Sequence, residues 1–228
     1  MLAQQVRRLK RCLMADEIVI ATTTNPIDDS VIDLAKSENV GWFRGSENDV
    51  LSRYVGAARE SQADVIVRVT SDCPLIDPEQ TDRVIKELTA RSRECDYASN
   101  VIHRTFPRGL DTEAVFRDTL ERLDRLASSN QSREHVTYFV TMERPDLFVL
   151  RGVDDSQDNS DLRWTVDTSE DLAMVRRLYA ELEMGDQFLP YPAVLSHVRR
   201  NPEIAKMNSQ VMQKSFETTT SLTPHSGA

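Results

Sequence analysis

Glycine is scarce in this chain: seven residues in 228, none before Gly41, and no Gly-Lys pair anywhere. A P-loop and a dinucleotide-binding turn both need glycines so that backbone amides can approach phosphate, so both are excluded. Cysteine is scarce as well. Cys12, Cys73 and Cys95 have neither zinc nor redox spacing. An odd count of three suits a reduced, cytoplasmic setting in which all are inert thiols. No apolar run is long enough to span a membrane, and there is no signal peptide. The first eleven residues are basic and amphipathic, but they lack the serines of a transit peptide. A basic excess is also missing. Lys and Arg number 28 against 37 Asp and Glu, and the net charge of -9 argues against a general nucleic-acid binder.

What remains is an ordinary soluble composition, 39% hydrophobic and 29% charged, at a length that suits one large α/β domain. Leu2, Val6, Leu9 and Leu13 fall on one helical face, with Gln4, Arg7, Arg8 and Arg11 opposite. No Ser, Thr, Asp or Asn caps that helix, so it reads as the back half of a longer one. Strands are predicted at 17–22, 40–43 and 65–69, alternating with helices at 26–39, 47–61 and 78–91. That alternation indicates a parallel sheet with crossover helices. Further on, strands are predicted at 97–101, 147–151 and 162–167. Helices are predicted at 117–127, 133–143, 169–183 and 192–200. Trp42 and Trp164 read as core residues. Beyond Phe216 the tail lacks apolar content, and residues 217–228 are expected to be disordered.

The organising stretch is Val65-Ile66-Val67-Arg68-Val69-Thr70-Ser71-Asp72-Cys73-Pro74. Its β-branched run reads as a strand buried on both faces that delivers Asp72 to its C-terminal edge, where open α/β sheets bind ligands. An aspartate there can equally do no more than cap the next turn. Leu162-Arg163-Trp164-Thr165-Val166-Asp167 ends in the same way. Two strand-end carboxylates suit Mg²⁺, which takes one or two carboxylates together with substrate phosphate oxygens. Asp167 has its own alternative reading, as part of a helix start capped by Thr168 with Asp171 three residues on. Arg53, Arg108 and Arg133 are candidates for neutralising phosphate or carboxylate. His135 stands at a helix start, where a lone histidine is more often structural.

Six ordered blocks carry a resemblance. They are residues 43–54 (around Gly45-Ser46-Glu47-Asn48-Asp49), 68–77 (around Thr70-Ser71-Asp72-Cys73-Pro74), Tyr97-Ala98-Ser99-Asn100, Pro107-Arg108-Gly109-Leu110-Asp111-Thr112-Glu113, Ser132-Arg133-Glu134-His135-Val136-Thr137, and 163–172 (around Trp164-Thr165-Val166-Asp167). Together they resemble the cytidylyltransferase family, in particular the branch of the spore coat polysaccharide biosynthesis protein F group. That branch is related to the synthetases that activate sialic acid and 3-deoxy-manno-octulosonate. The resemblance implies a Rossmann-like, mostly parallel sheet with flanking helices, in a single nucleotidyltransferase-like domain over 1–216. It also implies an inserted region at about 97–151 that holds sugar and forms a homodimer around 97–137. The activity implied is transfer of CMP from CTP to a sugar hydroxyl in surface polysaccharide synthesis, with pyrophosphate released. Asp72 and Asp167 would be catalytic and hold Mg²⁺. Asn100, Arg108, Asp111, Glu113, Arg133 and His135 would face the sugar, and Arg53 the nucleotide.

One departure stands out. The family opens on a strand and a basic, glycine-containing loop that wraps the nucleotide, and neither is matched here. In the family that strand sits between the two matching 18–21 and 65–69. The expectation is therefore two open strand edges, or direct pairing of those strands. Besides an enzyme with a shortened sequence, two readings stay open. One is a non-catalytic partner that keeps the sugar cleft. The other is a metal-dependent glycosyltransferase, for which the usual Asp-x-Asp pair is missing at Asp72.

Overall fold

The computed structural model describes residues 1–90 and 94–213, so the tail expected to be disordered lies outside the described residues. The first half alternates helix and strand as the sequence pattern predicts. Its elements are α1 (Leu2–Leu9), β1 (Val19–Thr23), α2 (Asp29–Ser37), β2 (Gly41–Gly45), α3 (Val50–Glu60), β3 (Val65–Arg68) and α4 (Pro78–Ala90). Then come β4 (Tyr97–Ser99), β5 (Glu113–Phe116), α5 (Arg117–Leu126), α6 (Asn130–Glu134) and β6 (Leu150–Gly152). After β6 the described residues form three more α-helices: α7 (Ser169–Glu181), α8 (Tyr191–Arg200) and α9 (Pro202–Lys206).

The strands form two sheets. β1 and β2 pair in parallel, and a second sheet runs in the order β3-β5-β4-β6. In that sheet β5 is antiparallel to both β3 and β4, while β4 and β6 are parallel. Of the two outcomes expected for β1 and β3, the structure shows open edges: the strands do not pair, and a slot separates them.

Side chains alternate across the second sheet, as strand geometry requires. Ile66, Tyr97 and Val115 pack against Leu51, Val55 and Ala58 of α3 and Leu120 and Leu123 of α5. On the opposite face Ala98 and Ala114 pack with Val84 and Leu88 of α4, and Val65 and Val67 lie against that group. A third core joins Leu75, Phe106 and Trp164 to α7, α8 and α9. The architecture is thus mixed α/β with helices on both faces.

Several expectations need correction. β3 is not fully buried, because only Ile66 is enclosed and the neighbouring valines border the slot. Residues 162–167 make no strand; a single bridge, Arg108 to Arg163, is their only β contact among the described residues. The helix expected over 133–143 is broken after α6, where Val136 takes φ 55°, a conformation costly for a β-branched residue. Arg8, placed on the solvent face by periodicity, is buried. Its guanidinium donates to the carbonyls of Ile76 (2.6 Å) and Leu189 (3.0 Å), which fastens α1 to the core. Leu13 lies past the end of α1 and is exposed, and Trp42 is 42% exposed rather than core.

Candidate functional site

Past the end of β3, Val69, Thr70 and Ser71 lead to Asp72, and the segment before α7 docks against it. The Val166 amide donates to the Asp72 carbonyl at 2.9 Å. The Thr165 hydroxyl donates to Asp72 Oδ2 at 2.6 Å. Extended backbone turns alternate residues to one side. Arg163, Thr165 and Asp167 therefore share the side on which Thr165 meets Asp72. Arg163 supports this reading, since its guanidinium bonds Asp167 Oδ2 at 2.5 Å and Asp171 Oδ1 at 2.9 Å. Asp167 thus follows directly on a residue whose amide bonds the Asp72 carbonyl, although the two aspartates lie 95 positions apart in sequence.

The electrostatics keep Asp72 ionised. Burial pushes its carboxyl up, but hydrogen bonds from Thr165 and Thr70 outweigh burial and hold it below the usual carboxylate range. The adjacent Cys73 thiol is buried and pushed up, chiefly by that burial and by the charge of Asp72, so it stays a thiol. Asp171 is fully buried. It closes a capping box with Thr168 and accepts the amides of Asp167 (3.0 Å) and Thr168 (3.1 Å). The capping role predicted for Thr168 and Asp171 is present, and it fixes the backbone that carries Asp167.

The second wall is the turn before β5. Asn100 is buried. Its side chain donates to the Leu110 carbonyl (2.7 Å) and accepts the Thr112 amide (2.8 Å), shaping the turn from within. Asp111 is held in a two-bond pair by Arg104 at 2.8 and 2.7 Å. Gly109 has φ +102° and packs directly on the Trp164–Thr165 backbone. Arg108 is tied to the facing segment by its own backbone: its amide donates to Leu162 O (3.0 Å), and its carbonyl accepts the Trp164 amide (2.6 Å). Its guanidinium has no carboxylate partner among the described residues. It is held below the usual arginine range by burial, then by repulsion from Arg104; the nearby Asp111 carboxylate pulls the other way, and Arg163 adds a smaller repulsion. A half-buried guanidinium that shares its nearest carboxylate, Asp111, with Arg104 keeps donors that an incoming anion can use.

The remaining predicted site residues are engaged elsewhere. Glu113 is buried in β5. It pairs with Arg68 and accepts hydroxyls from Tyr97 and Thr137, both at 2.6 Å. Arg133 spends its donors on both oxygens of Asp49 (2.9 and 2.6 Å) and on Asp124 (2.9 Å), joining α6 to the starts and ends of neighbouring helices. His135 ends α6 with its ring 6.3 Å from Tyr138. Arg53 donates to the Ser46 carbonyl (3.0 Å) and borders the slot. Sequence reasoning missed Arg104, Thr165 and Arg163. Only Thr165 carried a signal, two residues before Asp167 in an extended pattern.

Among the described residues no cluster of three or more His, Cys, Asp or Glu could hold a metal by itself. A pair of hard carboxylates, one ionised and pinned and one half-exposed, fits Mg²⁺ shared with a phosphate-bearing substrate rather than a resident ion in an all-protein cage.

The family model described as Cytidylyltransferase matches residues 1–188. An uncharacterized protein of Methanocaldococcus jannaschii is 33% identical over 215 residues, covering 92% of this chain and 84% of its own length. Spore coat polysaccharide biosynthesis protein SpsF of Bacillus subtilis (strain 168) is 29% identical over 194 residues, 83% of this chain and 78% of its own. Among solved structures, a cytidylyltransferase from Leptospira borgpetersenii serovar Hardjo-bovis (strain JB197) superposes with TM-score 0.84 at 31% identity. It covers 94% of this chain and 87% of its own. A CMP:2-keto-3-deoxy-manno-octonic acid synthetase complexed with CTP shares the fold, with TM-score 0.59, 16% identity, and coverage of 79% of this chain and 87% of its own.

Proposed function

Because the chain belongs to the cytidylyltransferase family, we propose that it transfers CMP from CTP to a sugar hydroxyl at the Asp72–Asp167 edge. The observation that carries this reading is the pinning of Asp72 by Thr165 two residues before Asp167, with Arg108, which makes no direct carboxylate pair among the described residues, on the neighbouring turn. In the reaction the sugar oxygen attacks the α-phosphorus, the bond to the bridging oxygen breaks, and pyrophosphate leaves with that electron pair. The hydroxyl proton passes to solvent or to a nearby base. Mg²⁺ held by Asp72 and Asp167 would supply charge neutralisation on the phosphoryl oxygens. Asp72 stays anionic because two threonine hydroxyls donate to it. Asp171 and Arg163 hold the Asp167 backbone and carboxylate in place. Arg108 binds an acidic group of the acceptor sugar or a phosphate. A role in surface polysaccharide synthesis is inferred from the likeness to SpsF.

The test is pyrophosphate release from CTP with a panel of sugars, with and without Mg²⁺. Asp72→Asn and Asp167→Asn should each abolish Mg²⁺-dependent release while keeping the fold, and two active variants would refute the assignment. One observation favours a second reading, that of a sugar-binding partner without transferase activity: β1 and β3 stand apart on either side of an open slot. Calorimetry separates the readings, since tight, Mg²⁺-dependent CTP binding eliminates the second.

A further inference from the structure

Arg163 carries more than the Asp167 carboxylate, and all three of its guanidinium nitrogens are engaged. Nη2 donates to Asp167 Oδ2 at 2.5 Å and to Asp171 Oδ2 at 3.1 Å. Nε donates to Asp171 Oδ1 at 2.9 Å, and Nη1 to Gln213 Oε1 at 2.7 Å. Asp171 Oδ2 also accepts the amides of Asp167 and Thr168. The orientation of Asp167 thus depends on one buried pair, whose side chains are 9% and 0% exposed. Asp167 itself is 47% exposed. Among the described residues only its Oδ2 accepts a side-chain bond, which leaves Oδ1 for a cation. Behind the pair stands Asn208, 3% exposed. Its Nδ2 spends both hydrogens there, one on the Arg163 carbonyl at 2.9 Å and one on Asp171 Oδ1 at 2.8 Å. A single amide thereby ties the backbone of the Arg163–Asp167 segment to the first turn of α7. Helix α9 brings it there, since Ile204 is buried in the third core and α9 packs on both α7 and α8. Asn208 and Gln213 lie beyond residues 1–188, which the family model matches.

We propose that Asn208 is a positioning residue of the Asp72–Asp167 edge: it sets Asp167 for a divalent cation by fixing the Arg163–Asp171 pair behind it, and Gln213 steadies the same guanidinium from outside. That role rests on the reading of the edge as a Mg²⁺ site. A position that needed only filling would take an apolar residue of the same shape, because a buried amide is costly unless it is bonded. Here both amide hydrogens go to the two groups that carry Asp167. Asn208 acts through order, not through contact with metal or substrate. Asp167 can ligate only in the orientations that Arg163 leaves it. A ligand already oriented loses less freedom when the ion arrives, which is how outer partners raise metal affinity. The charge of Arg163 is unchanged by substitution at Asn208 or Gln213, so its repulsion of a bound cation is the same in every such variant.

The experiment uses the full chain with Mn²⁺ as the probe, the free ion being counted by electron paramagnetic resonance, so no turnover is needed. Asn208→Ala removes both bonds. Asn208→Leu removes them but keeps the shape of the side chain, which a residue needed only for packing would tolerate. Both should weaken Mn²⁺ binding by about tenfold, the low end for partners outside the ligand shell. Gln213→Ala, at an exposed position, should weaken it by roughly twofold to threefold with an unchanged melting temperature. Amide exchange at Asp167 and Thr168 should quicken by about tenfold in both Asn208 variants and stay as in the parent in β4. Ile204→Val trims the core under the same helix. It should lower the melting temperature by roughly 1–6 °C and leave Mn²⁺ affinity unchanged. Parent-like affinity in both Asn208 variants, or equal weakening in Ile204→Val, overturns the role of Asn208 while the metal reading stands, provided Asp167→Asn loses the ion. Should neither Asn208 variant fold, parent-like affinity in Gln213→Ala overturns it. A parent chain that binds no Mn²⁺, or an Asp167→Asn variant that binds it as the parent does, overturns the metal reading itself and the role of Asn208 with it.

Discussion

Gly109→Ala tests the geometry of the site most directly. Gly109 has φ +102°, where a side chain is strained whatever space surrounds it. A Cβ there would lie 2.6 Å from Thr165 N, 2.6 Å from Trp164 C and 2.8 Å from Trp164 O, all backbone atoms that cannot rotate aside. Ordinary contact begins near 3.4 Å, so the turn must retreat by about 0.8 Å. That retreat stretches the 2.6 Å bond from the Trp164 amide to the Arg108 carbonyl. The conformational cost is about 1–2 kcal/mol, and overpacking adds about 1–3 kcal/mol. A total near 3 kcal/mol lowers the melting temperature by roughly 6–12 °C for a chain of this size. The shift also moves Arg108 and the Thr165 backbone, and with Thr165 the hydroxyl that pins Asp72. Displacements of this size cost up to about 10²-fold in rate. Thermal unfolding followed by circular dichroism gives the first number. The second is kcat/KM, measured well below both transitions with the sugar found active in the pyrophosphate assay. A variant melting within about 1 °C of the parent at unchanged kcat/KM would show that the turn does not brace the Trp164–Asp167 segment.

Three other outcomes follow from the same contacts. Arg108→Ala removes a guanidinium that has no protein carboxylate to release. It should raise KM for an anionic acceptor by about 10–100-fold, the worth of a lost charged hydrogen bond, with little change in melting temperature. Arg133→Ala breaks pairs with Asp49 and Asp124 that are partly exposed. It should cost about 2 kcal/mol in urea titration and leave kcat/KM intact at temperatures where the variant is folded. Asp171→Asn should cost about 3 kcal/mol, because Arg163 loses the charge of its fully buried partner. It should also flatten the acid limb of the stability curve. Burial pushes the Asp171 carboxyl up, but bonds from Arg163 and Asn208 hold it below the usual range. A depressed carboxylate stabilises fully above its unfolded pKa of about 3.9, and that stabilisation is lost as pH falls through the lower folded value. The parent should therefore lose stability steeply below about pH 4 and the variant less so.

How much of this was legible in the sequence depends on whether local pattern or distant partners decide each element. β3 and α4 could be read from Val65–Arg68 and from the proline that opens the helix, since both signals are local. β5 could not. Glu113-Ala114-Val115-Phe116 is short and carries an acid, and it becomes a strand because β3 and β4 pair with it from either side. Residues 162–167 erred the other way. Their apolar alternation suggests a strand, yet the facing turn offers one bridge instead of a ladder. Arg8 shows the limit of helical periodicity, which marks which residues share a face but not which carbonyls wait across the interface. Two orphan carbonyls, of Ile76 and Leu189, drew that arginine inward. The site follows the same rule. Strand-end position points to Asp72, past the end of β3, whereas Asp167 ends a segment that makes no strand; Asp111 and Arg108 are marked by the turn they share. Arg104, which holds Asp111 in place, has no spacing that marks it, and Thr165, which holds Asp72, is marked only by standing two residues before Asp167. A single sequence marks which charges a fold brings to an edge more readily than which of them are already neutralised there. Arg133 and Arg108 look alike as letters, and only the carboxylates around Arg133 separate a brace from a free cation.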